Sequence, residues 1–165
     1  MSSPRAAIIT ISTSRAAGDG GEDESGACLA RLAERVGAEV AARELIADDR
    51  AEIEQRLRHW AGVEDCALVL TTGGTGLAPS DVTPEATRAV IEREAPGIAE
   101  AMRAASRPHS EHWMLSRGVA GTRGRTLIVN FPGSPRSIGQ CGDAIATALP
   151  HALALLSGER PAHRP

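Results

Sequence analysis

The chain has no lysine and no tyrosine, and its aromatic side chains are one phenylalanine and two tryptophans. So few aromatic platforms cannot stack a series of bases, which argues against a single-strand nucleic-acid binder. Runs of like charge are also missing, and the net charge is only −3. Neither a duplex footprint nor a polybasic membrane patch is therefore expected. No apolar run is long enough for a bilayer: AAIITIS, which follows MSSPR, is too brief for a secretory core or a membrane span. Cysteine is sparse. Cys28, Cys66 and Cys141 are far apart, odd in number and outside any CxxC pair, which reads as reduced, mostly buried thiols. The expectation is a soluble cytoplasmic protein that binds neither nucleic acid nor membrane.

At 165 residues the chain suits one domain, 1–165, with an ordered core over about 6–158 and loosely tethered ends at residues 1–5 and 159–165. Short apolar runs predict strands at 6–11, 39–46, 67–70 and 126–131. ALVL and TLIVNF are apolar at successive positions, as in a parallel sheet covered on both faces. Helical periodicity lies between them. Leu29, Leu32, Ala33 and Val36 form one stripe, with Ser25 available as N-cap and Gly37 as the stop. Ile53, Leu57 and Trp60 form a second stripe after Asp48 and Asp49, either of which can cap it. Further helices open at Thr83-Pro84 and Gly97, and a long apolar-periodic stretch follows PGSP, broken at Pro150. The alternation predicts an α/β fold, a three-layer doubly wound sandwich with a mostly parallel central sheet flanked by helices. Residues 107–125 read as a loop with a short strand.

The stretch TTGGTGLAPSDVTPEAT, residues 71–87, carries the chemistry. A strand runs straight into glycines, at the end of a strand where doubly wound sheets bind ligands. Bare backbone there lets amides approach an anion, although a tight structural turn would look the same. It is not a phosphate loop of the GxxxxGK[ST] kind, because the chain has no lysine, and GGTGLA lacks the GxGxxG spacing. Asp81 stands two residues before the Thr83-Pro84 helix start, where it could cap that helix or offer hard oxygens to Mg²⁺ beside bound phosphates. Asp48 and Asp49 form a second acidic pair at another strand end, with the same two readings. A further loop, Asn130-Phe131-Pro132-Gly133-Ser134-Pro135, opens the C-terminal helix as a possible anion site.

These elements together resemble the molybdopterin adenylyltransferase family (Mog/MoaB type, also found as the G domain of gephyrin). The resemblance runs from about Ala6 to Gly158 and is most specific in the unbroken TTGGTGLAPSDVTPEAT. Ile11–Arg15 before it, and MLSRGVAGTRGRTLIVN and FPGSP after it, stand in the family's order. It implies that ATP and molybdopterin bind together and that the terminal phosphate of the pterin attacks the α-phosphate of ATP. Adenylyl-molybdopterin and pyrophosphate would form with Mg²⁺, in a homotrimer, ahead of molybdenum insertion on a separate insertase. It further implies that Asp81 and Asp48 are the catalytic and metal-holding carboxylates. Thr72, Gly73, Gly74, Thr75 and Gly76 would cradle the nucleotide, Pro132, Gly133 and Ser134 would form the second binding loop, and Ser116 would face the pterin.

The departures are local. The family's PDE segment reads Ala47-Asp48-Asp49, so Asp49 is an alternative metal ligand, and STSR replaces the common SDR. A pterin-binding protein with little transferase activity is the alternative that this altered segment favours. With no lysine, Arg117 or Arg136 could supply fixed positive charge to phosphates. His109 and His112 form an isolated pair without a third ligand, which reads as a polar loop, and Cys141 reads as a small core residue.

Overall fold

A computed structural model describes residues 2–159. Its elements run β1 (Arg5–Ile11), α1 (Thr13–Ala16), α2 (Glu24–Arg35), β2 (Glu39–Ile46), α3 (Arg50–Arg58) with a π turn at His59–Val63, and β3 (Leu68–Thr72). They continue through α4 (Thr83–Arg88), β4 (Arg93–Glu94), α5 (Pro96–Ser106), a 3-10 turn at Trp113–Leu115, β5 (Ala120–Arg123), β6 (Thr126–Phe131), α6 (Pro135–Ile145) and α7 (Leu149–Ser157). The strands form one six-stranded sheet in the order β2-β1-β3-β6-β5-β4. β2, β1, β3 and β6 are mutually parallel, and β5 and β4 extend that sheet in antiparallel steps.

Alternation along the central strands builds two cores. Ala6 and Ile8 of β1, Leu68 and Leu70 of β3, and Leu127, Val129 and Phe131 of β6 face α2, α5, α6 and α7. The intervening Ala7, Ile9, Ile11, Val69 and Ile128 face α3, the π turn and α4. A strand buried on both sides cannot alternate apolar with polar residues, which is why ALVL and TLIVNF are continuous apolar runs. β2 differs. As an edge strand it exposes Glu39 and Arg43, charges that discourage pairing with another chain.

Several boundaries differ from the sequence expectation for identifiable reasons. Asp23, not Ser25, caps α2, accepting a hydrogen bond from the Gly26 amide at 2.9 Å. Ser25 lies inside the first turn and is buried, its hydroxyl donating to the Gly133 carbonyl at 2.6 Å. Gly37 does stop the helix, in the left-handed region at φ 87°. Pro150 sits in the first turn of α7, where its missing N–H costs nothing, so the break falls before it. The amino terminus is tied from Pro4 onward: the Glu39 amide donates to the Pro4 carbonyl at 2.8 Å, and Arg5 already pairs within the sheet. Of the loose tail expected at 159–165, Glu159 is held by its amide, which donates to the Ala154 carbonyl at 3.0 Å, and 160–165 lie outside the described residues. Residues 107–125 hold the 3-10 turn and β5, in line with a loop carrying a short strand.

The cysteines are all free. Cys66 and Cys141 are buried in the two cores and Cys28 is half-buried. Burial pushes the Cys66 and Cys141 thiols above their ordinary value, which suppresses the reactive thiolate. Titration of the native protein with an aromatic disulfide reagent should modify Cys28 rapidly. The other two should react only after denaturation, and rapid modification of all three would contradict this packing.

Candidate active site

The carboxyl ends of β1, β2, β3 and β6 lie side by side, and their loops meet there. Gly73 leaves β3 with φ 95°, so close to β1 that a Cβ on it would stand 2.3 Å from the Ile11 carbonyl oxygen. Gly74 follows at φ 66°, where a Cβ would stand 2.4 Å from Oγ1 of Thr83. Both positions demand glycine, in conformation and in space. The Gly73 amide donates to the Phe131 carbonyl at 3.2 Å, and Thr83 closes the loop by donating from its hydroxyl to the Gly73 carbonyl at 3.0 Å. The next three amides, of Gly74, Thr75 and Gly76, donate to no acceptor among the described residues. They form a row of three successive donors.

Carboxylates flank that row. Asp48 is reached through β1's loop: the Thr13 amide and hydroxyl both donate to its Oδ2, at 2.9 and 2.8 Å, and the Asp48 amide donates back to the Thr13 hydroxyl at 3.0 Å. Its Oδ1 has no donor among the described residues and lies 3.2 Å from where a Cβ on Gly74 would be. Asp49 is turned away. It is exposed and caps α3, accepting from the Glu52 amide at 2.8 Å. Asp81 does not cap α4, whose N-cap is Val82 without a side-chain bond. Its Oδ2 instead accepts from the Ala78 amide at 3.1 Å and lies 2.8 Å from a Cβ position on Gly76. Asp48 and Asp81 thus stand at the two ends of the same three-residue backbone row.

The other expected residues fall into two groups. Of the loop Pro132, Gly133 and Ser134, Gly133 lies against the glycines, a Cβ on it standing 3.8 Å from Cα of Gly73, while Ser134 caps α6. Ser116 lines a cleft of about 120 Å³ with Trp113, Asn130, Pro132 and Ser137, adjoining that loop. Thr72 and Thr75 are buried side chains, and the Thr72 hydroxyl donates to the Pro132 carbonyl at 2.7 Å, so it joins β3 to the loop after β6 and does not face solvent. Arg117 departs from expectation. Its guanidinium is directed onto backbone carbonyls and onto Glu85, and that hydrogen bond holds the Glu85 carboxyl below its ordinary value. Arg136 is exposed on the first turn of α6. His109 and His112 join no cluster of three metal-binding side chains among the described residues. A larger cleft of about 570 Å³ opens beside Arg5, Asp65 and Arg125, at the amino ends of the strands, where this class of sheet does not usually bind ligands.

Residues 7–151 match a family described as a probable molybdopterin binding domain. The chain belongs to that family. Among its relatives, the molybdopterin adenylyltransferase of Helicobacter pylori strain J99 is 44% identical over 115 residues, covering 70% of this chain and 65% of that protein. Drosophila melanogaster cinnamon, a molybdenum cofactor synthesis protein, is 42% identical over 115 residues, covering 70% of this chain and 19% of its own length. The matched stretch thus spans under two thirds of these relatives. Solved structures align more fully. The molybdopterin biosynthesis enzyme MoaB of Thermus thermophilus superposes with TM-score 0.87 at 45% identity over 94% of this chain and 98% of its own. The Mog protein of Mycobacterium ulcerans gives 0.83 at 38% identity, over 92% and 99%. The chain shares with these structures the α/β fold with a mostly parallel sheet that the resemblance in sequence implied.

Sequence reasoning missed two supports of this site. Thr13 tethers Asp48, and its signal was the STSR segment itself, where a hydroxyl replaces an acid. Asn130 was the one amide in an apolar strand. It is buried, donates to the hydroxyls of Thr71 and Thr87 at 3.0 and 2.9 Å, and accepts from the Val119 amide at 3.2 Å. Gly74→Ala should destabilise the protein by about 1–3 kcal/mol, the cost of a strained left-handed residue crowding Thr83. Urea unfolding measures this, and an unchanged midpoint would contradict the crowding.

Proposed function

We propose that the chain is a molybdopterin adenylyltransferase, taking ATP and molybdopterin to adenylyl-molybdopterin and pyrophosphate. The observation that carries this reading is the row of free amides at Gly74, Thr75 and Gly76 between the carboxylates of Asp48 and Asp81. Free N–H groups in a row fit phosphate oxygens. Relatives named molybdopterin adenylyltransferase in Helicobacter pylori and Escherichia coli support the choice of reaction.

The step makes one bond and breaks one. An oxygen of the pterin's terminal phosphate attacks the α-phosphorus of ATP, and the bond from that phosphorus to the bridging oxygen of the β-phosphate breaks, releasing pyrophosphate. Such transfers require alignment and charge neutralisation more than covalent help. The amides of 74–76 would hold the polyphosphate, and Pro132, Gly133 and Ser134 would close its other side. Ser116, in the neighbouring cleft, would contact the pterin and direct its phosphate toward the same point.

Mg²⁺ fits the donor set. Asp48 Oδ1 is free, Asp81 offers a second carboxylate, and no protein cluster of three ligands stands among the described residues. Mg²⁺ is commonly held by one or two carboxylates together with substrate phosphates and waters. When bound it would offset charge on the leaving pyrophosphate, a role Arg117 cannot fill while paired with Glu85. Asp49, committed to capping α3, is outside this set.

Asp81→Asn should abolish product formation from ATP, molybdopterin and Mg²⁺ while leaving the circular dichroism and pterin binding near those of the parent. Retained turnover would reject the role of Asp81. Asp48→Ala should lose far more activity than Asp49→Ala, whose main effect should be the loss of a cap, about 1 kcal/mol of stability. The reverse order of activities would move the metal ligand to Asp49. Binding of molybdopterin by the wild-type protein without any product would favour a binding protein instead.

The assembly belongs to the same proposal. A homotrimer would close by using one heterologous patch pair three times. Light scattering at micromolar concentration should return three times the 17.2 kDa chain mass, and a monomer mass would exclude the trimer.

A further inference from the structure

Residues 77–80, on the loop that carries Asp81, are all exposed, and Leu77 is 65% accessible. Nothing apolar anchors that loop, yet Asp81 must hold one position to serve the reaction proposed above. Within the loop, the Asp81 amide donates to the Ala78 carbonyl at 2.9 Å and the Ala78 amide donates to the Asp81 carboxylate. These bonds shape a turn but do not attach it to the rest of the protein.

The attachment comes from Arg117. Its amide donates to the Thr75 carbonyl at 2.8 Å. Its Nε donates to the Gly76 carbonyl at 2.8 Å, where the loop begins, and its Nη2 donates to the Asp81 carbonyl at 2.8 Å, where the loop ends. Nη1 is paired with the Glu85 carboxylate in the first turn of α4. Among the described residues, every side-chain hydrogen bond reaching residues 76–81 from outside comes from this guanidinium. A planar fork with five donors can span both carbonyls and a carboxylate at once, which an ammonium cannot.

We infer that Arg117 is a positioning residue for Asp81: it clamps both ends of the 76–81 loop to α4 and so fixes the carboxylate beside the free amides. The inference rests on the adenylyltransferase reading for its catalytic consequence, but the clamp itself is physical and separately measurable. It also explains why an arginine beside the candidate pterin serine lends no charge to phosphate. Its donors face carbonyl oxygens and its charge faces Glu85.

The test compares full-length wild type with Arg117→Ala and Arg117→Lys by amide hydrogen exchange and by steady-state kinetics. In Arg117→Ala, exchange in a peptide covering 76–82 should rise about tenfold or more while peptides from β1, β3 and β6 stay protected, since local opening is energetically separate from global unfolding. The adenylylation kcat should fall by about 100-fold, the scale of a misplaced catalytic group, with little change in KM for molybdopterin. Arg117→Lys keeps the charge and guards against a variant that fails to fold. It should give intermediate exchange and only partial recovery of kcat. Wild-type loop exchange in both variants would overturn the clamp, and accelerated exchange with an unchanged kcat would overturn the positioning role. A wild-type protein that forms no adenylyl-molybdopterin would sink the adenylyltransferase reading instead, leaving the clamp to be decided by exchange alone.

Discussion

At Gly73 the chain of β3 passes so near the end of β1 that no side chain fits between them, and everything at the site depends on that approach. Because β1 and β3 are adjacent parallel strands with covered faces, their carboxyl ends are held in register, Thr10 beside Thr72. The turn out of β3 must then be made by backbone alone, first at Gly73 and again at Gly74. A turn made this way leaves three amides unpaired. Free amides are costly when buried but useful at a surface that receives an anion.

The surrounding bonds keep this arrangement from collapsing onto itself. Thr13 takes one oxygen of Asp48 and leaves the other free. Thr72 and Ser25 tie the FPGSP loop to β3 and α2 through its carbonyls at Pro132 and Gly133, so that loop's own amides remain available. Asn130 joins β6 to β3 and α4 from within the core. Each of these side chains is bonded to another part of the protein. The groups left over are Oδ1 of Asp48, Oδ1 of Asp81 and the row of amides, a combination of hard oxygens and N–H donors suited to a metal-bound polyphosphate.

Much of this was legible in the residues. TLIVNF announced a strand covered on both faces, and Ile128 indeed faces one core while its neighbours face the other. Glycines after a strand put a loop at the carboxyl end of β3, where the structure has it. What remained hidden was orientation and long-range pairing. Asp48 and Asp49 are chemically alike, and only the path of the chain from β2 into α3 makes one a cap and turns the other toward the glycines. Asp23 and Ser25 compete for the same cap, and burial of Ser25 against Gly133, far along the chain, decides it. β4 is two exposed residues that become a strand only by pairing with β5, and two residues carry no periodicity. Arg117 contacts Gly76 across 41 positions of sequence, a separation at which local pattern is silent.

The claim at the centre is that the glycine row is a polyphosphate cradle bounded by Asp48 and Asp81. A crystal structure of the protein with a non-hydrolysable ATP analogue and Mg²⁺ tests it most directly. The account predicts phosphate oxygens on the amides of Gly74, Thr75 and Gly76, with the metal against Asp48 and Asp81. Density for the triphosphate in the opposite cleft beside Arg5 and Arg125, or a metal held by Asp49 in place of Asp48, would contradict it.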